Sequence, residues 1–137
     1  VLQLVYISSA REVITGSTCA TILEKSRANN SRDDVTGLLV AGERRFLQAL
    51  EGPTEAVRST YARIIQDHRH YACVLLSEQY VENRQFAAWS MGFVSGGSEM
   101  SDDQSLAQIV TRLVNPISDA SLRAQFIGFA ELQDQAA

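Results

Sequence analysis

The 137-residue chain is poor in several things that would have pointed to particular functions. It has no run of about 18 apolar residues, so no membrane-spanning helix is expected. Basic residues are outnumbered, 12 Lys and Arg against 16 Asp and Glu, for a net charge of −4. That balance argues against a direct nucleic-acid grip, which needs basic patches that displace counterions from phosphates. Only two cysteines are present, Cys19 and Cys73. They and the two histidines, His68 and His70, lack the spacing of a zinc site, so no metal is expected. The cysteines fall inside a predicted helix and a predicted strand and read as buried thiols of a reducing compartment. No glycine loop of the phosphate-cradling type, internal repeat or low-complexity tract interrupts the chain. The N-terminus opens directly on VLQLVYI, without a basic leader or a small-residue cleavage site, which places the protein in the cytoplasm as an expectation.

What is present is an ordinary apolar fraction, 45%, in a length suited to one core. LQLVYIS predicts a first strand over Leu2–Ser8, with Leu2, Leu4, Tyr6 and Ser8 on one face. Ser17 suits the N-cap of a helix reaching about Asn29, with a stripe of Cys19, Ile22, Leu23 and Ser26. The polar run NNSRDD predicts a turn. A hairpin follows, with strands over Thr36–Ala41 and Arg45–Glu51 around Gly42-Glu43. Pro53 suits the first turn of a second helix, which runs to about Asp67 with Val57, Tyr61, Ile64, Ile65 and His68 buried. A fourth strand is predicted over Ala72–Gln79 and a fifth over Phe86–Val94, the latter with Ala87, Trp89, Met91 and Phe93 on one face. Gly96-Gly97-Ser98 reads as a hinge before two helices, about Asp103–Leu113 and Asp119–Phe129, separated by Pro116.

The order βαββαββ followed by two helices predicts an α+β, ferredoxin-like sheet with two helices on one face. The strands are apolar on both sides, so a second cover is needed, supplied by the C-terminal helices or another subunit. Residues 1–95 are taken as the main domain and 96–137 as a helical extension.

Gln48 is the least expected residue. It sits mid-strand between Phe46 and Leu50, and each polar group of its amide left unpaired in a core costs roughly 1–3 kcal/mol. Tyr6, on the adjacent central strand, faces the same way. Ile22, Ser26, Asn29 and Asn30 share one side of the first helix, and Arg63, Ile64 and Asp67 lie together on the second. Each residue also has an ordinary reading: Gln48 as an edge amide bonded to backbone, Tyr6 as a core phenol, Asn29 and Asn30 as a C-cap. Arg63 and Asp67 would similarly form a surface pair, and Trp89 and Met91 would be core packing. Taken together, they describe a slot lined by Ile22, Leu39, Phe46 and Ile64. It has amides at one end and Tyr6–Gln48 at its floor, a shape suited to a flat heteroaromatic with an imide edge, such as a flavin.

In this order LVYIS, ILEKSRANN, VTGLLV, RFLQALEG, YARIIQDHRH and FAAWSMGF resemble the BLUF family, the blue-light sensors using FAD, over about Leu2–Phe93. The resemblance implies that Tyr6 is the photo-oxidised electron donor and that Gln48 bridges it to the flavin N5/O4 edge. Asn30 would hold the imide with Asn29 beside it, and Arg63 would approach the C2 carbonyl. Ser26 and Asp67 would be pocket neighbours, and Trp89 and Met91 would relay the signal through the fifth strand. The cofactor implied is FAD, with FMN or riboflavin as alternatives because the slot grips mainly the ring. After electron and proton return, the glutamine would be left rotated, tautomerised or both, with no covalent bond formed. The chain is then expected to be a photosensory protein rather than an enzyme. It would act as a homo-oligomer, a dimer or larger, on a separate effector protein.

Overall fold

The first strand lies inside the sheet, paired along both of its edges. In the computed structural model, which describes residues 1–87, 89–95 and 104–136, the elements run β1 (Leu2–Ala10), α1 (Gly16–Asp33), β2 (Thr36–Ala41), β3 (Arg45–Gly52), α2 (Thr54–Ile65), β4 (His70–Tyr80), β5 (Gly92–Ser95), α3 (Leu106–Val114) and α4 (Ala120–Ala136). The sheet order is β4-β1-β3-β2-β5. The first four strands pair antiparallel, as the ferredoxin-like pattern requires, and β5 joins parallel to β2.

Alternation along β1 and β3 separates two apolar cores. On one face Leu2, Leu4, Phe46 and Leu50 pack with Leu23 of α1, Val57 of α2, Leu39 and Met91. On the other, Val5, Leu47 and Ala49 pack with Phe86 and with Leu106, Val110, Phe126 and Ala130 of α3 and α4. The C-terminal helices are thus a second cover. Helix α3 opens on a capping box, Ser105 with Gln108. The Asp134 carboxylate of α4 accepts from the N–H groups of Leu106 and Ala107 at 3.0 and 2.9 Å, an acidic partner at the positive end of a helix. Helix α4 thus continues past the expected end at Phe129, to Ala136. The expected hinge at Gly96-Gly97-Ser98 and the expected helix start at Asp103 lie outside the described residues.

Helix α1 begins two residues earlier than expected and ends four later. Thr15, not Ser17, is the N-cap, accepting from the Thr18 N–H at 3.2 Å. The polar NNSRDD continues the helix instead of turning, because Asn30 is anchored in the interior and Asp34, at φ 59°, takes the left-handed position that stops it. In α2, Val57 and Thr60 are buried, but Ile65 is 49% exposed and His68 is exposed too. The helix ends at Ile65, so His68 is off its face. Cys19 is buried as expected, whereas Cys73 is only partly so, because β4 is an edge strand.

The largest departure is β5, which starts at Gly92 rather than Phe86. The backbone N–H groups of Gln85 and Phe86 go to the Glu51 carboxylate, and that of Trp89 turns back to the Phe86 carbonyl at 3.1 Å. These donors are not available to a strand ladder. Trp89 is instead held at the sheet edge by the Gly37 N–H, 3.1 Å from its carbonyl. Gly37 has no room for a side chain: a Cβ there would meet the Ala49 carbonyl oxygen at 2.0 Å.

Candidate functional site

Helices α1 and α2 leave a cleft of about 360 Å³ over the centre of the sheet, within the range of small-molecule sites. Its walls are Ile22, Leu39, Phe46, Leu50 and Ile64, and its polar groups come from Ser26, Asn29, Asn30, Arg63 and Asp67. Tyr6 and Gln48 also line it, so every cleft residue expected from the sequence is brought to one place.

Tyr6 and Gln48 are directly opposite in the β1–β3 register and are 3% and 4% exposed. The Tyr6 hydroxyl donates to Gln48 Oε1. Gln48 Nε2 in turn donates to Met91 Sδ at 3.2 Å. Burial pushes the Tyr6 phenol far above its ordinary value, with Cys73, Tyr61 and Asp67 adding to the effect. Tyr6 is therefore a neutral hydrogen-bond donor. The Tyr61 ring lies behind it, centroids 5.3 Å apart.

The last turns of α1 fasten the approach to β5. Asn30, 2% exposed, donates from Nδ2 to the Ser90 carbonyl at 2.9 Å. Arg27 Nε donates to the Met91 carbonyl at 3.2 Å. Trp89 and Met91 do not share a strand face. Both precede β5, and the turn between them sends them to opposite sides of the sheet: Met91 beside Gln48, Trp89 against Phe86 at 6.1 Å.

The expected Arg63–Asp67 pair does not form, because α2 ends before Asp67. Arg63 Nη2 lies 3.3 Å from Thr60 Oγ1 and 3.6 Å from Asp33 Oδ2. Asp67 instead accepts from the Arg69 backbone N–H at 2.9 Å and from its guanidinium at 3.0 Å. The hydrogen bonds from Arg69 hold the Asp67 carboxyl at about 2, below its usual 3.8. A carboxyl lowered on folding stabilises the fold above its ordinary value and ceases to do so as pH falls through the folded value. Wild-type protein should therefore be more stable than Asp67→Asn at neutral pH, with the difference shrinking between about pH 4 and pH 2. Paired urea titrations across that range measure it, and a difference independent of pH would rule the contact out as its source.

Six cleft residues were not anticipated: Lys25, Leu50, Thr60, Gln66, Arg69 and His70. His70 is the most connected. Its Nδ1 is 2.9 Å from Ser8 Oγ, its Nε2 meets the Ile64 carbonyl, and its ring stands edge-on to Phe46. Starting the fourth strand at His70 rather than Ala72 would have put it opposite Ala10 and at the cleft.

A family model described as sensors of blue-light using FAD matches residues 1–92. The chain belongs to the BLUF family. The blue light- and temperature-regulated antirepressor BluF of Escherichia coli K12 is 35% identical over 88 residues, 64% of this chain and 22% of that protein. The photoactivated adenylate cyclase subunit alpha-like protein FB of Euglena gracilis is 33% identical over 116 residues, 84% of this chain and 11% of that protein. This BLUF chain thus spans under a quarter of either relative's length. Among solved structures, BlrB, a BLUF protein in its dark state, superposes with a TM-score of 0.72 at 23% identity, covering 99% of this chain and 96% of BlrB, which supports the fold.

BLUF proteins bind a flavin, and the donor set here fits one. The apolar walls match a planar ring, and the side-chain amides of Asn29, Asn30 and Gln48 offer both N–H and carbonyl groups to an imide. Among the described residues, no helix is long and apolar enough to cross a membrane.

Proposed function

We propose that this BLUF chain reads blue light by turning over the Gln48 amide between Tyr6 and Met91. The observation that carries the reading is the buried series from the Tyr6 hydroxyl to Gln48 Oε1, and from Gln48 Nε2 to Met91 Sδ at 3.2 Å, on the floor of the cleft.

Ile22, Leu39, Phe46 and Ile64 would hold the ring, Asn30 and Asn29 would meet its imide edge, and Ser26, Arg63 and Asp67, which also line the cleft, would stand around it. FAD is the cofactor named for the family, and FMN or riboflavin would present the same ring to these residues. When bound, the flavin supplies a strong one-electron oxidant on absorbing blue light.

The residues do the rest. Tyr6 is protonated at every working pH and its proton already lies on the bond to Gln48. Loss of an electron makes the phenol strongly acidic, and the proton passes along that bond to the Gln48 carbonyl oxygen. When electron and proton return, the amide is left rotated. Its NH₂ now faces the Tyr6 oxygen, which accepts, and its carbonyl faces Met91 Sδ, lone pair against lone pair. Met91 withdraws. Exchanging hydrogen bonds worth about 1 kcal/mol each shifts a two-state packing severalfold, enough for a switch. The packing that responds is β5 with α3 and α4, read by a separate effector protein. A homo-oligomer is part of the same proposal, supported by the uncovered edge strand β4, where Val74 is 52% and Tyr80 67% exposed.

The test is the absorption spectrum of flavin-loaded protein before and after blue light. A small red shift that decays in the dark is expected. Failure to retain flavin, or a spectrum unaltered by light, would overturn the reading.

A further inference from the structure

Glu51 is a carboxylate with 0% exposure, on the α3–α4 side of β3, and among the described residues it forms no ion pair. A buried charge of this kind is tolerated only when hydrogen bonds replace its water. Its partners are all N–H donors. Oε2 accepts from Gln3 Nε2 at 2.8 Å and from the Gln85 backbone at 2.9 Å, and Oε1 from the Phe86 backbone at 2.8 Å. Gln3 is itself fixed by Gln79 Nε2 at 2.9 Å.

These bonds grip one end of a short crossing segment. Phe86, next to the grip, packs on Trp89 and on Phe126 of α4, ring centroids 6.1 and 5.8 Å away. The Gln85 side chain accepts from the Ser118 N–H and hydroxyl at 3.0 and 3.2 Å, in the turn between α3 and α4. At the other end, Met91 enters the opposite core and touches Gln48. Among the described residues, Gln85 and Phe86 thus lie on the α3–α4 side of the sheet and Met91, at the other end of the segment, on the cleft side.

We propose that Glu51 is a positioning residue, the fixed point about which this segment pivots so that displacement of Met91 moves Phe86, Trp89 and Ser118. The inference rests on the proposed Gln48 switch and adds the route by which it leaves the pocket. With Gln85 and Phe86 pinned to β3, a push on Met91 tilts the aromatic pair against Phe126. Without the pin the segment slides along the sheet edge and the push is dissipated. Glu51 does not line the flavin cleft.

Glu51→Gln is the discriminating variant. Its amide presents a donor where the native group only accepts, so at least one of the three N–H groups loses its partner. Flavin-loaded wild type and variant would be compared by absorption and by amide hydrogen exchange, in light and dark. The expected result is an equal red shift in both, with the light-induced exchange difference over residues 117–126 present in wild type and lost in Glu51→Gln. A role confined to stability would lower protection in both states and leave that difference intact, which would overturn the inference. Should Glu51→Gln not fold, Gln85→Ala decides, since it keeps the Glu51 grip on the backbone and cuts only the link to Ser118. Loss of the light-induced difference at 117–119 with a normal red shift supports the pivot, and a full wild-type difference there overturns it. Absence of a red shift in wild type would instead mean that the switch itself fails.

Discussion

Gln48→Leu is expected to give a yellow protein whose absorption no longer responds to blue light. Leucine keeps the apolar volume between Phe46 and Leu50, so the walls that hold the ring survive. It removes both the acceptor for Tyr6 and the donor to Met91. The Tyr6 hydroxyl is then buried without that partner, at a cost of roughly 1–3 kcal/mol in stability. Tyr6→Phe should abolish the same response for a different reason: Gln48 still contacts Met91, but no phenol is left on its carbonyl oxygen to give up a proton along that bond. Light-minus-dark difference spectra on the two variants check both. A full red shift in Gln48→Leu would remove the amide from the mechanism altogether.

Phe126→Ala carries the largest expected change in stability. The ring is fully buried in the second core, against Phe86. Removing it should cost about 3–5 kcal/mol, a large share of the ~5–15 kcal/mol that holds a domain together. Because Phe126 is on the far side of the sheet from the cleft, the dark flavin spectrum should be unchanged in the protein that remains folded. Urea unfolding followed by circular dichroism gives the loss. A change under about 1 kcal/mol would mean that α4 does not pack on Phe86 as described.

Most of the pocket could be read from the sequence because it depends on parity and period, which are local. Tyr6 and Gln48 each fall on the apolar parity of a strand, and the split order of strands makes those strands neighbours. Ile22, Asn29 and Asn30 share a helical face whether the helix ends at Asn29 or at Asp33. The misreadings come where a distant side chain overrides a local pattern. Phe86–Val94 alternates like a strand, yet Glu51, 35 residues before Phe86, takes the N–H groups that a strand would use. The same turn parts Trp89 from Met91, which alternation alone places side by side. Arg63 and Asp67 have helical spacing, but α2 stops at Ile65, and Arg69 takes the carboxylate. His70 is not legible as a cleft residue because its partners, Ser8 and the Ile64 carbonyl, belong to two other elements.

The division of the interior into two apolar cores by a single sheet has an engineering consequence. In the proposed reading pigment chemistry and output would stand on opposite walls, and β3 contributes alternate residues to each core. A chimaera that exchanges α3 and α4 for another helical pair, while keeping the loop from Gln85 to Met91, should inherit its colour and dark-recovery behaviour from one parent and its choice of effector from the other.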